Sequence, residues 1–302
     1  MGYFLPHVFG KVRSIAMKWT PGGESSDIED RRGEGGGFIP GGRAGMGIGG
    51  TVVLLVLSLI FGRNFVTGGT TSDTTGAPAM SNGEVASTPA EDRLVQFVSF
   101  VLDDVQNTWR SILGDRHVPY QDAKLVLFRD ATQSGCGTAQ STMGPFYCPL
   151  DQKVYIDLGF YDELQRRFGA PGDFAEAYVL AHELGHHVQH LLGIDEQARR
   201  LQRENPSTAN AVSVRLELQA DCFAGIWGHT TEQRRLLQQG DIEEGLNAAA
   251  AVGDDRIQRA TTGHVNAETF THGSSAQRTA WFKRGFTTGQ IEACDTFGDR
   301  GP

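Results

Sequence analysis

The nineteen residues Asp173-Phe-Ala-Glu-Ala-Tyr-Val-Leu-Ala-His-Glu-Leu-Gly-His-His-Val-Gln-His-Leu191 decide the fold and the chemistry together. Phe174, Ala177, Leu180/Ala181, Leu184, Val188 and Leu191 recur at helical spacing, which predicts an amphipathic helix with Asp173 as its cap. Inside it, His182-Glu-Leu-Gly-His186 is an HExxH pattern. Residues four apart stand one turn above each other, so both imidazoles can reach one ion. Glu183 projects beside them, where a carboxylate can take a proton from a metal-activated water. A chance match in a chain of this composition has odds on the order of one per cent, and placement on an apolar helix lowers them further.

A catalytic zinc site needs a third protein ligand and one open position. The metzincin pattern would put Gly at 189 and His at 192, where this chain has Gln189 and Leu192. His190 lies four residues past His186, but no glycine breaks the helix before it, so it sits ~6 Å further along the axis and should miss the ion. His187 points off the metal face. Glu217-Leu-Gln-Ala-Asp221 is the better source. Its two carboxylates are again four apart, on a helix expected from Asn205-Pro206 to about Gly228. Leu216, Leu218, Ala220, Phe223, Ala224 and Ile226 flank them, and buried carboxylates need partners. Glu217 as ligand and Asp221 behind a ligand histidine make a coherent pair.

The pattern outside these helices is uneven. Of 39 glycines in 302 residues, 19 fall in residues 1–90, and the net charge of −9 belongs wholly to residues 91–302. That acidic part, without a basic block, argues against nucleic-acid binding. Residues 1–43 read as a disordered Gly-rich arm, with Met17 as an alternative start. Residues 44–62 carry no charge, and nineteen helical residues would span about 28 Å, so a single transmembrane helix is expected there. Residues 63–89 read as a flexible linker and 90–302 as the folded domain. Three Lys/Arg before the span against one after it favour an N-terminus inside and the domain outside. Thr88-Pro89-Ala90-Glu91 marks a helix start, with apolar positions Leu94 to Trp109 carrying it to about Leu113. Lys124–Phe128 and Lys153–Asp157 read as strands, and further helices are expected near 232–262 and 275–285. A helix-rich chain with a small sheet and no βαβ alternation is α+β. Outside the cytoplasm, Cys136 would pair with Cys148 and Cys222 with Cys294, although Cys222 could equally pack as a small apolar residue.

His182–Gln189, Glu217–Gly225, Gly253–Gln258, Phe270–Arg278 and Met17–Gly33 together resemble the bacterial "putative neutral zinc metallopeptidase" family, over residues 17–298. The resemblance implies a helix-rich, zincin-like domain with a thermolysin-type (gluzincin) site holding one catalytic Zn²⁺. In it His182, His186 and Glu217 are the ligands, Glu183 the base, and Asp221 the support of a histidine. For the oxyanion donor His272 is the first candidate, then His229, His264 and Tyr178. The strand Lys153–Asp157 could pair with an extended substrate, or be an ordinary core strand. The expectation is a zinc endopeptidase of the bacterial inner membrane, acting on peptide or protein substrates, with its catalytic domain periplasmic. The rival is a tethered scaffold that holds zinc without turnover; Glu183, which a scaffold would not need, favours the enzyme.

Overall fold

Thr88 opens the first helix as a capping box: its hydroxyl accepts from the Glu91 amide at 3.2 Å, and Glu91 accepts from the Thr88 amide at 3.0 Å. In this computed structural model, which describes residues 17–34 and 87–298, that helix is α1 (Pro89–Gly114). Its buried stripe, Phe97, Val98, Val101, Leu102, Val105 and Trp109, follows the spacing read from the sequence.

A four-stranded sheet, its strands 28–30, 124–128, 153–157 and 146–148 lying side by side in that order, shares the apolar core of α1 through Leu125, Leu127, Val154 and Ile156. β1 (Ile28–Asp30), β2 (Lys124–Phe128) and β6 (Lys153–Asp157) run parallel, and β5 (Phe146–Cys148) is antiparallel to β6. β3 (Ala131–Ser134) and β4 (Gly137–Gln140) form a separate hairpin. The Cys136–Cys148 disulfide ties the hairpin turn to β5. β6 is hydrogen-bonded on both sides, which removes it as a strand that could pair with substrate; among the described residues β1 and β5 are the edges.

The helices follow as α2 (Gly159–Arg166), α3 (Asp173–Leu191), α4 (Ile194–Glu204), α5 (Ala209–Gln233), α6 (Asp241–Ala251), α7 (Asp254–Thr262) and α8 (Ser275–Thr288). Asp173 is the first residue of α3, and the cap itself is Gly172. α3 ends where Gly193 takes φ 71°, a left-handed conformation that glycine adopts without penalty. α5 is buried nearly all round between α3 and α8. It approaches α8 closely at two glycines: a Cβ on Gly225 would lie 2.1 Å from the Phe282 carbonyl oxygen, and one on Gly285 1.9 Å from that of Cys222.

The helix-rich α+β class with a small sheet agrees with the sequence, but its N-terminal half needs correction. Residues 17–34 belong to the domain rather than to a disordered arm. Met17 is buried, Trp19 packs on Phe97 with ring centroids 5.3 Å apart, and β1 adds a strand to the sheet. Lys124 reaches Asp27 at 2.7 Å and Lys153 reaches Glu29 at 2.6 Å, fixing that strand by charge as well as by backbone pairing.

The expected span 44–62 lies outside the described residues, and among the described residues no helix is long and apolar enough to cross a membrane. The pairing of β1 with β2 gives the physical reason to correct the single-pass architecture. One crossing between residues 34 and 87 would leave these two hydrogen-bonded strands on opposite faces of a bilayer. The membrane anchor, the inside-to-outside orientation and the periplasmic, inner-membrane localisation are therefore dropped.

Candidate active site

α3 and α5 cross where Gly185, inside the HExxH pattern, faces Ala220. A Cβ on Gly185 would lie 3.1 Å from the Ala220 carbonyl oxygen and 3.2 Å from its Cα, so a side chain here would hold the helices apart. That approach lets Glu217 on α5 reach both histidines of α3. Glu217 Oε2 is 3.2 Å from His182 Nε2, and Oε1 is 3.5 Å from His186 Nε2. One nitrogen from each histidine and one carboxylate oxygen lie within 4.8 Å of one another, the sole such group among the described residues.

Behind these atoms both imidazoles are oriented. His182 Nδ1 faces Asp221 Oδ1 at 2.9 Å and His186 Nδ1 faces the Gln189 side-chain oxygen at 2.8 Å. An acceptor at each Nδ1 holds a ring proton there, so that it is Nε2 whose proton an ion would displace and whose lone pair would face the common centre. Two imidazole nitrogens and one carboxylate oxygen are a donor set that zinc takes in catalytic sites, so the residues fit the ion.

Asp221 has no solvent exposure, and its charge is met by Arg278 from α8. Arg278 Nε donates to Asp221 Oδ2 at 2.8 Å and Nη2 to Oδ1 at 2.9 Å, a bidentate fork. The Tyr178 hydroxyl donates to the same carboxylate. Burial alone would raise the Asp221 carboxyl, but Arg278 and His182 hold it below the usual range. Burial would likewise lower His182; the Asp221 carboxylate, with Glu217, outweighs it and pushes the imidazole up to about 10. Glu217 is drawn well below its ordinary value by His186, His272 and His182, against a burial effect that would raise it.

Glu183 is 8% exposed, on the turn that carries His182, and its carboxylate is committed to no hydrogen bond with another described residue. His272 belongs to a loop held by one carboxylate at the start of α7. Asp254 Oδ2 accepts the backbone amides of Thr271 (2.7 Å), His272 (2.6 Å) and Gly273 (3.0 Å), and Oδ1 faces His272 Nδ1 at 3.2 Å. Burial would lower the imidazole, but Glu217 and Asp254 outweigh it and hold the ring above its ordinary value.

The other oxyanion candidates fall away. Tyr178 is spent on Asp221, His229 is capped by the Phe286 carbonyl at 2.7 Å, and His264 is exposed. His190 pairs with Asp195 at 2.9 Å, and His187 is fully buried between Tyr147 and the Gln121 carbonyl, so neither joins the ligand group. The cysteines pair as expected, Cys136 with Cys148 and Cys222 with Cys294. Sequence reasoning missed Arg278, Asp254, Gln189 and Gln219. All four stood inside stretches already singled out, 182–189, 217–225, 253–258 and 270–278, but nothing local marked them as partners of the site.

A family model described as "Putative neutral zinc metallopeptidase" matches residues 17–297. "Uncharacterized protein YpfJ" of Escherichia coli (strain K12) is 48% identical over 287 residues, covering 93% of this chain and 99% of that protein. "Uncharacterized protein Rv2575" of Mycobacterium tuberculosis (strain ATCC 25618 / H37Rv) is 45% identical over 206 residues, covering 65% and 68% respectively. No solved structure matches the chain.

Proposed function

The chain belongs to the "putative neutral zinc metallopeptidase" family, and on that premise we propose that it is a zinc-dependent endopeptidase that hydrolyses peptide bonds in peptides or proteins. The observation that carries this reading is the convergence of His182, His186 and Glu217 within 4.8 Å, with Glu183 next to His182 on the same buried helix. His182, His186 and Glu217 would hold one zinc ion. When bound, the ion supplies Lewis acidity toward a water molecule and a substrate carbonyl.

The protein's own groups do the rest. Glu183 accepts the water's proton as oxygen attacks the carbonyl carbon, then delivers it to the leaving amine nitrogen. His272, oriented through Nδ1 by Asp254, turns its ring toward the oxygen that gains charge and serves as its donor. Asp221, held by Arg278, fixes the ring of His182 through Nδ1, so that Nε2 would be the atom offered to the ion. β5, whose outer edge is unpaired among the described residues, offers backbone groups to an extended substrate; Tyr147 from that strand touches His187 of α3, which sets the strand alongside the site helix.

The test is zinc content and peptide-library cleavage by the full chain and by Glu183→Gln. The substitution should leave zinc bound and abolish cleavage. Full zinc occupancy with no cleavage of any peptide by the wild type would instead support a zinc-stabilised scaffold.

A further inference from the structure

The two ligand histidines are oriented by different chemistry. His182 Nδ1 faces a carboxylate, which accepts a proton whichever way it is turned. His186 Nδ1 faces a primary amide, which accepts only if its oxygen points inward. Turned over, the same amide would present NH₂ to Nδ1 and select the tautomer whose proton sits on Nε2, where a cation must bind. Something must therefore fix Gln189.

The structure holds a chain of hydrogen bonds that does so. The Cys294 carbonyl oxygen can only accept, so it takes the Gln219 side-chain NH₂ at 3.0 Å and turns the Gln219 oxygen the other way. That oxygen accepts from Gln189 NH₂ at 3.0 Å, which also donates to the Leu216 carbonyl at 2.8 Å. The Gln189 oxygen is left facing His186 Nδ1 at 2.8 Å, and the imidazole proton must be on Nδ1. Gln189 is 1% exposed and Gln219 5%, so water does not compensate a reversed amide.

The Cys294 carbonyl is itself pinned. The Cys222–Cys294 disulfide binds its residue to α5, and two residues on, the Thr296 hydroxyl donates to the Arg215 carbonyl at 2.8 Å. Arg215, Gln219 and Cys222 fall on one face of α5 at 100° per residue, opposite the face that carries Glu217 and Asp221. We propose that Gln189 and Gln219 are positioning residues for the metal ligand His186, the Gln189 amide being fixed by the Leu216 carbonyl of α5 together with Gln219, and that the disulfide-anchored C-terminal segment sets the orientation of Gln219 through the Cys294 carbonyl. The proposal rests on the reading of His182, His186 and Glu217 as zinc ligands.

The experiment measures the zinc dissociation constant of the full chain by competition with a chromogenic chelator, below the melting temperature of every variant. Gln189→Met should weaken zinc binding about 10–100-fold, the range for partners that orient a ligand. Gln219→Met and the pair Cys222→Ala/Cys294→Ala should each weaken it, and their combination should be no weaker than the worse of the two, because both interrupt one chain. If the disulfide-free variant does not fold, the cycle of Gln189→Met with Gln219→Met tests the same non-additivity. A merely structural role would lower melting temperatures and leave the dissociation constants unchanged, and that result, or additive losses, overturns the relay. Wild-type protein without zinc affinity would overturn the metal reading and the relay's role with it, an outcome distinct from any difference among variants.

Discussion

Replacing Arg278 by methionine separates the electrostatic role of this side chain from its packing. Methionine has comparable length and no charge, so the main loss is the fork onto Asp221, at 2.8 and 2.9 Å, and the bond to the Val252 carbonyl at 3.1 Å. Both charged side chains are buried, Arg278 at 3% exposure and Asp221 at 0%, so solvent screening does not soften the change. Removing one partner of a buried ion pair costs about 3–5 kcal/mol. For a domain of this size each kcal/mol shifts melting by about 2–4 °C, so the metal-free variant should melt roughly 6–20 °C below wild type at pH 7. The pH dependence follows from the sign of the shift. Asp221 is held below its usual value in the folded protein, so its stabilisation is full above the unfolded carboxyl value of about 3.9 and is lost as pH falls through the folded one. Without Arg278 only His182 and Tyr178 oppose the effect of burial, so the carboxyl rises, and an Asp221 that protonates more readily has less need of the missing cation. The melting difference should thus be large at pH 7 and shrink toward pH 4. Melting curves by circular dichroism at both pH values decide the matter. A loss under about 2 °C at pH 7, or an equal loss at both, would refute the argument from charge.

Three further outcomes are expected. His272→Ala should lower kcat by about 10²–10³, the cost of one oxyanion donor, with zinc content unchanged; a loss of zinc instead would show that His272 supports the ligands. Glu176 is pushed up to about 8 by burial and by Asp173, Asp162 and Glu244, so the folded state holds a proton that the unfolded state releases between about pH 4.3 and 8. Stability therefore falls across that window, and Glu176→Gln should raise the melting temperature at pH 8.5 but not at pH 4; equal effects at both would contradict this. Gly285→Ala places a methyl 1.9 Å from the Cys222 carbonyl, an obstacle made of backbone, and should cost about 3 kcal/mol, the upper end of overpacking, as read by denaturant unfolding.

The convergent His-His-Glu group was legible because its information is local. His182 and His186 share a helix turn, and Glu217 and Asp221 share another whose flanking apolar residues announced burial. The capping box at Thr88 and strands 124–128 and 153–157 were local in the same sense. β1 was not. Ile28-Glu29-Asp30 has one apolar residue, stands beside a Gly-rich stretch, and is a strand only because Lys124 and Lys153, about a hundred residues away, neutralise Asp27 and Glu29 while β2 supplies the ladder. The same distance hid Arg278. On its own helix it is one cation among polar residues, and it is buried because Gly225 and Gly285 let α8 lie against α5.

α5 shows why helical periodicity finds such a site but underestimates it. Its 25 residues have little amphipathic contrast, since three faces are used at once. Glu217 and Asp221 turn to α3, Gly225 turns to α8, and Arg215, Gln219 and Cys222 turn to the C-terminal segment. A helix with one dry face could shift or rotate slightly and keep its packing. Here a rotation that relieved one face would break a ligand, a backbone contact or a disulfide on another. The precision that zinc chemistry demands of Glu217 would then come from α5 being held on all sides rather than from the carboxylate's own contacts. Cutting the chain after Gly289 removes one of the three restraints and leaves every ligand in place. It should weaken zinc binding by at least as much as Gln219→Met, and an unchanged zinc affinity would show that α3 and α8 suffice.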